Sequence, residues 1–281
     1  MKLMRNWTIG LLLILSSIGL QAQDIVVLHV NDTHSRIEPT PESDPKFPNR
    51  GGMARINAII EDVRSKNNIV FFFHCGDFVQ GTPYFNVFKG KAEVDILNFM
   101  KLDAATIGNH EFDYGLNTLK DIVQQANFPF ITTNLDFSQT ALAGMTHKYI
   151  LWVKEGIRIG VVGLSPEPEG LVAKVNYEGM KYLDPIVSAN ETADFLREEK
   201  DCDLIICLSH LGYFEKEEEM GDITLAKQTR NIDIILGGHT HTYLEEPVYI
   251  KNKDGKTVTI SQVGERGLSV GRLDIKMEET N

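Results

Sequence analysis

The chain contains few cysteines, and their number excludes the small disulfide-rich class of secreted proteins. There are three in 281 residues, an odd number that leaves one without a partner: Cys75, Cys202 and Cys207. Cys75 and Cys207 lie in apolar stretches, which favours small buried core residues. Cys75 also precedes Asp77 by two residues, so a thiol close to a functional site stays open as an alternative.

Positive charge is also scarce. The 28 Lys and Arg residues stand against 39 Asp and Glu, which gives a net charge of −11, and the sequence has no cluster of basic residues. Binding to the phosphate backbone of a nucleic acid requires a basic face, so a nucleic-acid polymer is excluded as a partner. With 42% hydrophobic and 24% charged residues, the composition also excludes extended disorder and a multispan membrane protein.

Long hydrophobic runs are absent except near the start of the chain. Residues 9–20 are apolar, Lys2 and Arg5 precede them, and Ala22 follows at a plausible cleavage point. The run is shorter than the roughly 20 residues that cross a bilayer. The sequence therefore predicts a secretory signal peptide over 1–22, no stable membrane span, and a secreted or periplasmic protein. Leu20 is unusual so close to a cleavage point, so an uncleaved anchor is the alternative.

Short apolar runs rich in β-branched residues recur along the chain and predict strands. They cover residues 25–30, 69–74, 104–107, 130–133, 157–164, 204–208 and 232–236. Segments with helical spacing lie between several of them; Met53, Ile56 and Val63, for example, share one helix face. Asp184-Pro185 is typical of a helix start. The alternation predicts an α/β fold with a mainly parallel sheet flanked by helices.

The second half of the chain adds antiparallel strands and shows no domain boundary. Turn-forming residues at 154–156 and 252–256 each separate two strand-like runs, which predicts hairpins. Residues 35–52 hold four of the ten prolines and are predicted to form a long surface loop, a kind of segment that is often functional. Because the sequence has no internal repeat and no linker, residues 23–281 are predicted to form one mature domain.

Polar residues follow five of the predicted strands directly. They are Asn31-Asp32-Thr33-His34, Cys75-Gly76-Asp77, Gly108-Asn109-His110-Glu111, Ser209-His210 and Gly237-Gly238-His239-Thr240-His241. Each motif is weak alone, since a single histidine after a strand is most often a hydrogen-bonded structural residue. In parallel α/β sheets, however, the carboxyl ends of the strands form the edge that carries the site. Five polar ends at that edge are costly to bury unless the groups are paired or bound to metal.

The chemistry of these side chains predicts two metal ions. Seven candidate ligands are present: Asp32, His34, Asp77, Asn109, His210, His239 and His241. Seven is too many for one tetrahedral ion and suits two ions that share a carboxylate, for which Asp77 is the natural choice. Carboxylate, imidazole and amide ligands without thiolate favour Zn, Mn, Fe or Co. Two divalent ions would leave an excess of positive charge, which favours a small anionic ligand such as a phosphate ester.

In order and placement, these motifs resemble those of the calcineurin-like metallophosphoesterases. Finer features are similar to one branch, the 5′-nucleotidase family, which includes UDP-sugar hydrolases and 2′,3′-cyclic-nucleotide phosphodiesterases. They are Asn-His-Glu-Phe-Asp-Tyr-Gly at 109–115, Gly-Gly-Met-Ala-Arg at 51–55 and Gln-Gly-Thr-Pro at 80–83. The resemblance covers residues 24–276 and implies a four-layer α/β/β/α sandwich with mixed sheets.

The resemblance also implies a role for each residue. One metal would be held by Asp32, His34, Asp77 and His241, and the other by Asp77, Asn109, His210 and His239. His110 and Asp113 match the catalytic pair of the family, although Asp113 could instead cap the helix that follows it. Family members carry either His or Gln at the position of His241, which is expected to influence the choice of metal. Glu111 is expected to support a ligand rather than bind metal itself.

The expected activity is hydrolysis of phosphate esters, with nucleotides as the expected substrates, by attack of a metal-bridging hydroxide on phosphorus. Family members usually continue into a second domain that stacks the nucleobase and grips the phosphate. A separately encoded C-terminal nucleotidase domain is therefore the expected partner for nucleoside specificity and full activity. The alternative is a metal-loaded binding subunit with little turnover of its own. Purely structural ions are a weaker alternative, because structural zinc sites are usually rich in thiolate.

Overall fold

The computed structural model describes residues 24–214, 216 and 219–277. The signal segment predicted over residues 1–22 lies outside these residues. Among the residues described, no helix has both the length and the apolar character that crossing a bilayer requires. The single mature domain over 23–281 stays a prediction.

Strands and helices alternate along the first part of the chain, as the sequence pattern predicts. The helices are α1 (Met53–Lys66), α2 (Pro83–Phe88), α3 (Lys91–Phe99), α4 (Gly115–Gln125), α5 (Pro185–Glu198) and α6 (Asp222–Gln228). The strands are β1 (Asp24–Val30), β2 (Ile69–His74), β3 (Ala104–Thr106), β4 (Phe130–Ile131), β5 (Leu135–Asp136), β6 (Tyr149–Lys154), β7 (Ile157–Leu164), β8 (Lys181–Tyr182), β9 (Leu204–Ser209), β10 (Ile234–Leu236), β11 (Val248–Lys251), β12 (Thr257–Ser261) and β13 (Gly271–Lys276). Two short 3₁₀ turns lie at His110–Phe112 and Lys174–Tyr177.

The strands form two large mixed sheets. The first has the order β13-β1-β2-β3-β4, in which β1 to β4 are parallel and β13 is antiparallel at the edge. The second has the order β11-β12-β10-β9-β7-β6, in which the four central strands are parallel and the two edge strands are antiparallel. β5 and β8 pair separately. Each large sheet thus has a parallel centre and an antiparallel edge.

Alternating side chains of the strands build three apolar layers. Ile25 and Val27 of β1 pack in one cluster with Ile206 of β9, so the two sheets lie face to face. Val26 of β1 points the other way and packs with Ile56 of α1. The outer face of the second sheet packs against α5 and α6. Helix, sheet, sheet and helix follow one another, so the four-layer sandwich with mixed sheets is confirmed.

The sequence predicted the long elements well and the short ones poorly. All seven predicted strands are present, although β4 ends two residues before the predicted end of 130–133 and β10 begins two residues after the predicted start of 232–236. Both predicted turns join antiparallel strands, and residues 35–52 form a loop. The sequence did not predict α2, α6, β5 or β8, because elements of two to seven residues carry too few positions to show a period.

Helix α5 has a side-chain cap that can be tested. Asp184 Oδ1 accepts hydrogen bonds from the backbone N–H groups of Ile186 at 2.8 Å and Val187 at 2.9 Å. Asp184→Ala removes this acceptor, so we expect urea unfolding to show a loss of about 1 kcal/mol in the free energy of unfolding. Asp184→Ser keeps a capping oxygen and should lose less. Equal losses in both variants would contradict the capping role.

Candidate metal centre

The loops that follow the parallel strands of the two sheets meet at one edge of the sandwich. The loop after β1 is bonded to the loop after β2, since Asp32 N donates to the Gly76 carbonyl at 3.0 Å. Across the sheets, His239 N, after β10, donates to Asp32 Oδ2 at 2.9 Å. His210 Nδ1, after β9, lies 2.6 Å from the Cys75 carbonyl. The loop after β3 is attached as well, since His110 N donates to Asp77 Oδ1 at 2.9 Å. Backbone and side-chain bonds therefore hold the five polar strand ends together.

Five of the seven predicted ligands lie in loops with left-handed backbone. The φ angles are 49° at Asp32, 47° at His34, 57° at Asp77, 74° at His239 and 53° at His241. Non-glycine residues adopt this conformation rarely, and it persists only where the surroundings hold it. Such conformations cluster at functional sites, and here they turn the side chains toward one centre.

The first group of possible ligands consists of Asp32, His34 and His241, whose ligand atoms all lie within 4.8 Å of one another. His34 Nε2 and His241 Nε2 are 2.9 Å apart. Asp32 Oδ1 lies 3.3 Å from His241 Nε2 and 3.8 Å from His34 Nε2. Three of the four residues predicted to hold the first metal, all except Asp77, are therefore brought together in this group.

The second group consists of Asp77, His210 and His239, again within 4.8 Å. Asp77 Oδ2 lies 3.0 Å from His210 Nε2, and the rings of His210 and His239 have centroids 5.3 Å apart. Asp77 also forms a third group with His34 and His110. Asp77 is therefore positioned between the two halves of the centre, as a bridging ligand requires.

Four buried polar atoms of the predicted ligands have no hydrogen-bond partner among the residues that the structure describes. They are Asp32 Oδ1, His34 Nδ1, Asn109 Oδ1 and His210 Nε2. His210 Nε2 is close to Asp77 Oδ2, but the contact does not have the geometry of a hydrogen bond. Buried polar atoms are normally paired, and a metal ion is the ligand that carboxylate, amide and imidazole atoms in this arrangement accept. The residues present therefore fit divalent ions.

Charge compensation is visible at His210. Burial lowers the pKa of this imidazole, but the carboxylates of Asp77 and Asp32 outweigh burial and raise the pKa to about 10. His239, by contrast, is dominated by burial and by the charge of His210, so its pKa falls to about 4. Because a ligating imidazole is neutral, binding of a metal at His210 requires loss of its proton.

His110 and Asp113 form a pair beside the centre. His110 Nδ1 and Asp113 Oδ2 are 2.9 Å apart. Burial lowers the pKa of His110. The hydrogen bond to Asp113 and the negative charge of Asp77 raise this pKa by more than burial lowers it, so the net shift is upward. Helix α4 begins at Gly115 without a side-chain cap bond, so the Asp113 carboxylate contacts His110 rather than the helix.

Buried Glu111 links the loop after β2 to the loop after β3. Its carboxylate accepts from the backbone N–H groups of Asp77 at 3.0 Å, Phe78 at 2.9 Å and Gly108 at 2.6 Å. Burial and the charge of Asp77 raise its pKa to about 7. It is an acceptor for the backbone rather than a member of any possible ligand group among the described residues, as the sequence predicted.

The histidines inside the strands support the loops from the core. His74 Nε2 contacts Thr33 Oγ1 at 2.9 Å, and His29 Nε2 contacts Ser261 Oγ at 3.0 Å. Burial lowers the pKa of His74 to about 3 and that of His29 to about 4, so both are neutral at pH 7. Cys75 contributes its carbonyl to His210, while its buried thiol has a pKa well above the usual value.

The sequence analysis missed the loop after β12, although that strand is parallel to β10 and ends at the same edge. Glu265 Oε2 lies 3.0 Å from His241 Nδ1, and Gln262 donates to the Gly238 carbonyl. Arg36 and Arg266 face the pocket beside His34 and were also missed. The rule that functional residues follow the carboxyl ends of parallel strands could have found Glu265. The sequence predicted only an antiparallel hairpin around residues 252–256, so the end of its second strand was not expected at this edge.

Two open pockets flank the centre. One, of about 340 Å³, is lined by His34, Arg36, Gln80, Gly81, His110, His241, Glu265 and Arg266. The other, of about 700 Å³, reaches His239 and combines apolar residues such as Leu171 and Phe214 with the carboxylates of Glu167 and Asp184. The first pocket carries positive charge and the second carries negative charge. The centre is therefore open to solvent on two sides that differ chemically.

A four-layer α/β/β/α sandwich with this carboxylate, imidazole and amide cluster at its strand ends is the arrangement of a metal-dependent phosphoesterase. The chain belongs to the calcineurin-like phosphoesterase family, whose model matches residues 25–243. Its similarity to the N-terminal part of 5′-nucleotidases, predicted from the motifs, is confirmed by relatives from bacteria and animals.

The solved structure of a 5′-nucleotidase precursor from Thermus thermophilus is 32% identical, has a TM-score of 0.83, and is matched over 91% of this chain and 52% of that chain. The 5′-nucleotidase of Homo sapiens is 29% identical over 92% of this chain and 47% of the relative. The snake venom 5′-nucleotidase of Crotalus adamanteus is 28% identical over 94% of this chain and 47% of the relative. The chain thus spans about half the length of these relatives.

Glu111 offers a test of how the centre is assembled. Glu111→Gln replaces one acceptor oxygen by an N–H donor that faces backbone N–H groups, so we expect a loss of about 1–3 kcal/mol in the free energy of unfolding, measured in urea. We also expect weaker binding of Mn²⁺ or Zn²⁺ by calorimetry. Glu93→Gln is the matched control, because Glu93 is buried but has one unpartnered oxygen. Equal metal affinity in wild type and Glu111→Gln would contradict the role.

Proposed function

We propose that this chain hydrolyses phosphate esters in a metal-dependent reaction and that nucleotides are its substrates. The observation that carries the proposal is the position of Asp77, which belongs both to the group with His210 and His239 and to a group with His34 and His110. A shared carboxylate between two ligand groups suits two divalent ions, the arrangement used to cleave phosphate esters. The names of the matched relatives support the choice of nucleotides.

The proposed ligands follow from these groups. Asp32, His34, Asp77 and His241 would hold one ion, and Asp77, Asn109, His210 and His239 the other. Asn109 is included because its buried Oδ1 lacks a partner. The ligand chemistry suits Zn, Mn, Fe or Co.

Bound divalent ions would neutralise charge on the phosphoryl oxygens and lower the pKa of a water molecule. The residues of the chain orient the ester and supply a proton donor. Asp113 holds Nδ1 of His110, which leaves Nε2 for the substrate. The raised pKa of His110 favours the protonated ring, which can donate to a phosphoryl or leaving oxygen as charge develops there.

The surroundings of the centre suit a small, negatively charged substrate. The chain is acidic overall, with a net charge of −11, yet the proposed centre would be locally positive once loaded. The pocket beside His239 leaves room for an organic leaving group. A metal-loaded binding subunit with little turnover is not favoured, because the His110–Asp113 pair is assembled next to the possible ligands.

We also propose where the rest of substrate recognition and the protein itself are located. Because the matched relatives are about twice as long as the matched region, contacts to the nucleobase are proposed to come from protein outside the described residues. A separately encoded C-terminal nucleotidase domain is one form that this partner can take. A secreted or periplasmic location rests on the signal segment predicted over residues 1–22. The venom relative supports it.

Hydrolysis of an aryl phosphate tests the proposed function directly. Purified protein supplied with Mn²⁺ or Zn²⁺ should release inorganic phosphate from p-nitrophenyl phosphate. A chelator should abolish the release, and added metal should restore it. Activity that a chelator leaves unchanged would contradict metal dependence.

Asp77 tests the bridging assignment. Asp77→Asn removes the negative charge that would separate the two cations, so we expect loss of metal as well as loss of activity. Elemental analysis of the purified variant should find fewer ions per chain than in wild type. Asp274→Asn, on the exposed edge strand β13, is the control and should keep both. Two tightly held ions in Asp77→Asn would contradict the assignment.

His110 separates chemistry from metal binding. His110→Ala should keep the metal content of the wild type while kcat for p-nitrophenyl phosphate falls by about 10²–10⁴, the range for a positioned acid or base. His147→Ala is the matched control, since His147 is exposed on a different loop. Loss of metal in His110→Ala would place the residue among the ligands, with Asp77 and His34.

A further inference from the structure

The loop that carries His239 and His241 is held by one buried side chain that the proposed mechanism does not use. Gln262 follows β12 directly and is fully buried. Its Nε2 donates to the Gly238 carbonyl at 2.9 Å, and its Oε1 accepts from the backbone N–H of Thr242 at 2.5 Å. One amide therefore bonds to the backbone directly before His239 and directly after His241.

The chemistry of the partners fixes the orientation of this amide. A carbonyl can only accept and a backbone N–H can only donate, so exchanging Nε2 and Oε1 of Gln262 would break both bonds. Thr240 adds a third bond, since its Oγ1 donates to Gln262 Oε1 at 3.1 Å. Thr240 Oγ1 also accepts from the backbone N–H of Tyr213 at 2.9 Å. The turn between the two histidines is thus bonded at its start, its middle and its end.

The turn depends on this support because its backbone conformation is unfavourable. His239 and His241 have φ angles of 74° and 53°, in the left-handed region that residues with a side chain adopt rarely. Such a conformation persists only where the surroundings hold it. Loss of the Gln262 amide would leave buried backbone groups without partners, which is costly. We therefore expect the turn to rearrange when this amide is removed.

The two histidines of the turn face different groups of possible ligands. His241 Nε2 lies 3.3 Å from Asp32 Oδ1, in the first group. His239 belongs to the second group, with Asp77 and His210. The shape of the turn therefore sets how far apart the two groups lie, and a change in the turn would move one imidazole relative to the other.

We propose that Gln262 is a positioning residue that sets the distance between the two metal ions by fixing the turn from Gly238 to Thr242. The proposal rests on the proposed function, because both ligand groups must hold an ion for this distance to matter. Both polar atoms of the amide are used in bonds to the turn, so Gln262 acts through the two histidines. Two-metal sites that cleave phosphate esters keep their ions about 3.5–4 Å apart, so this distance bears directly on the reaction.

Manganese alone tests the proposal without turnover, because two Mn²⁺ ions that share a bridging ligand are magnetically coupled. Wild-type protein loaded with Mn²⁺ at both sites should give the electron paramagnetic resonance spectrum of a coupled pair. Gln262→Met keeps the length of the side chain and removes its bonds to the turn, so we expect signal from isolated Mn²⁺ to replace the coupled spectrum. Calorimetry should show both ions bound about 10- to 100-fold more weakly, the usual effect of losing a residue that supports metal ligands.

Asn252→Leu is the matched control, because it removes another buried amide that holds a turn, at the opposite end of β12. Asn252 Oδ1 accepts from the backbone N–H groups of Asp254 and Lys256, both at 2.9 Å. This variant should lose stability in urea, as Gln262→Met does. It should keep the coupled spectrum and both metal affinities.

A smaller change covers the case in which Gln262→Met does not fold. Thr240→Val keeps the shape of the side chain and removes the hydroxyl that bonds to Gln262 and Tyr213. It should weaken the coupled spectrum, and Thr240→Ser, which keeps a hydroxyl, should retain it. If Gln262→Met cannot be purified, a wild-type spectrum in Thr240→Val would overturn the proposal.

The possible results separate this proposal from the proposed function. An unchanged spectrum with unchanged affinities in Gln262→Met would overturn the proposal. Weaker binding of one ion alone would also overturn it, because Gln262 would then hold one histidine and not the spacing of the pair. Equal changes in Gln262→Met and Asn252→Leu would reflect lower stability only and would overturn it too. Failure of the wild type to hydrolyse p-nitrophenyl phosphate would contradict the proposed function alone, since the manganese measurements involve no substrate.

Discussion

Two buried carboxylates of like charge, Asp32 and Asp77, lie at the edge where the two sheets meet, and the rest of the centre compensates them. Burial of two anions so close together is unfavourable unless each finds donors or cations. His239 N donates to Asp32, and His110 N donates to Asp77 at 2.9 Å. His210 lies beside both carboxylates and carries a pKa of about 10 as a result. A positive charge is therefore required beside the two carboxylates, and either a proton on His210 or a metal ion can supply it.

Because the two carboxylates are compensated by groups on neighbouring loops, the backbones of these loops approach the centre closely. A Cβ atom on Gly108 would lie 2.2 Å from Asp77 Oδ1, and one on Gly238 would lie 2.8 Å from the Cys75 carbonyl. No side chain fits at either position, so the loops after β3 and β10 can approach the carboxylates only because these residues are glycines. Glu111 then holds the loop after β2 to the loop after β3 through three backbone N–H groups.

The sequence predicts the residues of the centre that follow strands, but it does not predict residues that reach the centre from irregular loops or through single contacts. The strands and their carboxyl ends are visible as apolar runs that stop at Asp32, Asp77, Asn109, His210 and His239, because a parallel sheet places such ends at one edge. Arg36 lies within the proline-rich loop, whose path no periodicity describes. The roles of Glu265 and Glu111 depend on single contacts across the fold, to His241 and to backbone N–H groups, which one-dimensional patterns do not contain.

The residues of the metal centre and the arginines beside it are held in place by different kinds of contact. The proposed ligands are held by side chains that bond to other loops, so replacing one disturbs its neighbours, as with Asp77 and His210. Arg36 and Arg266 are placed by backbone N–H groups, which any residue except proline supplies. The Arg36 side chain can therefore change without moving the centre, whereas the Arg266 side chain also contacts Glu265, which lies beside His241. The cluster of possible ligands is thus held by contacts between loops, whereas Arg36 makes no side-chain hydrogen bond among the residues that the structure describes.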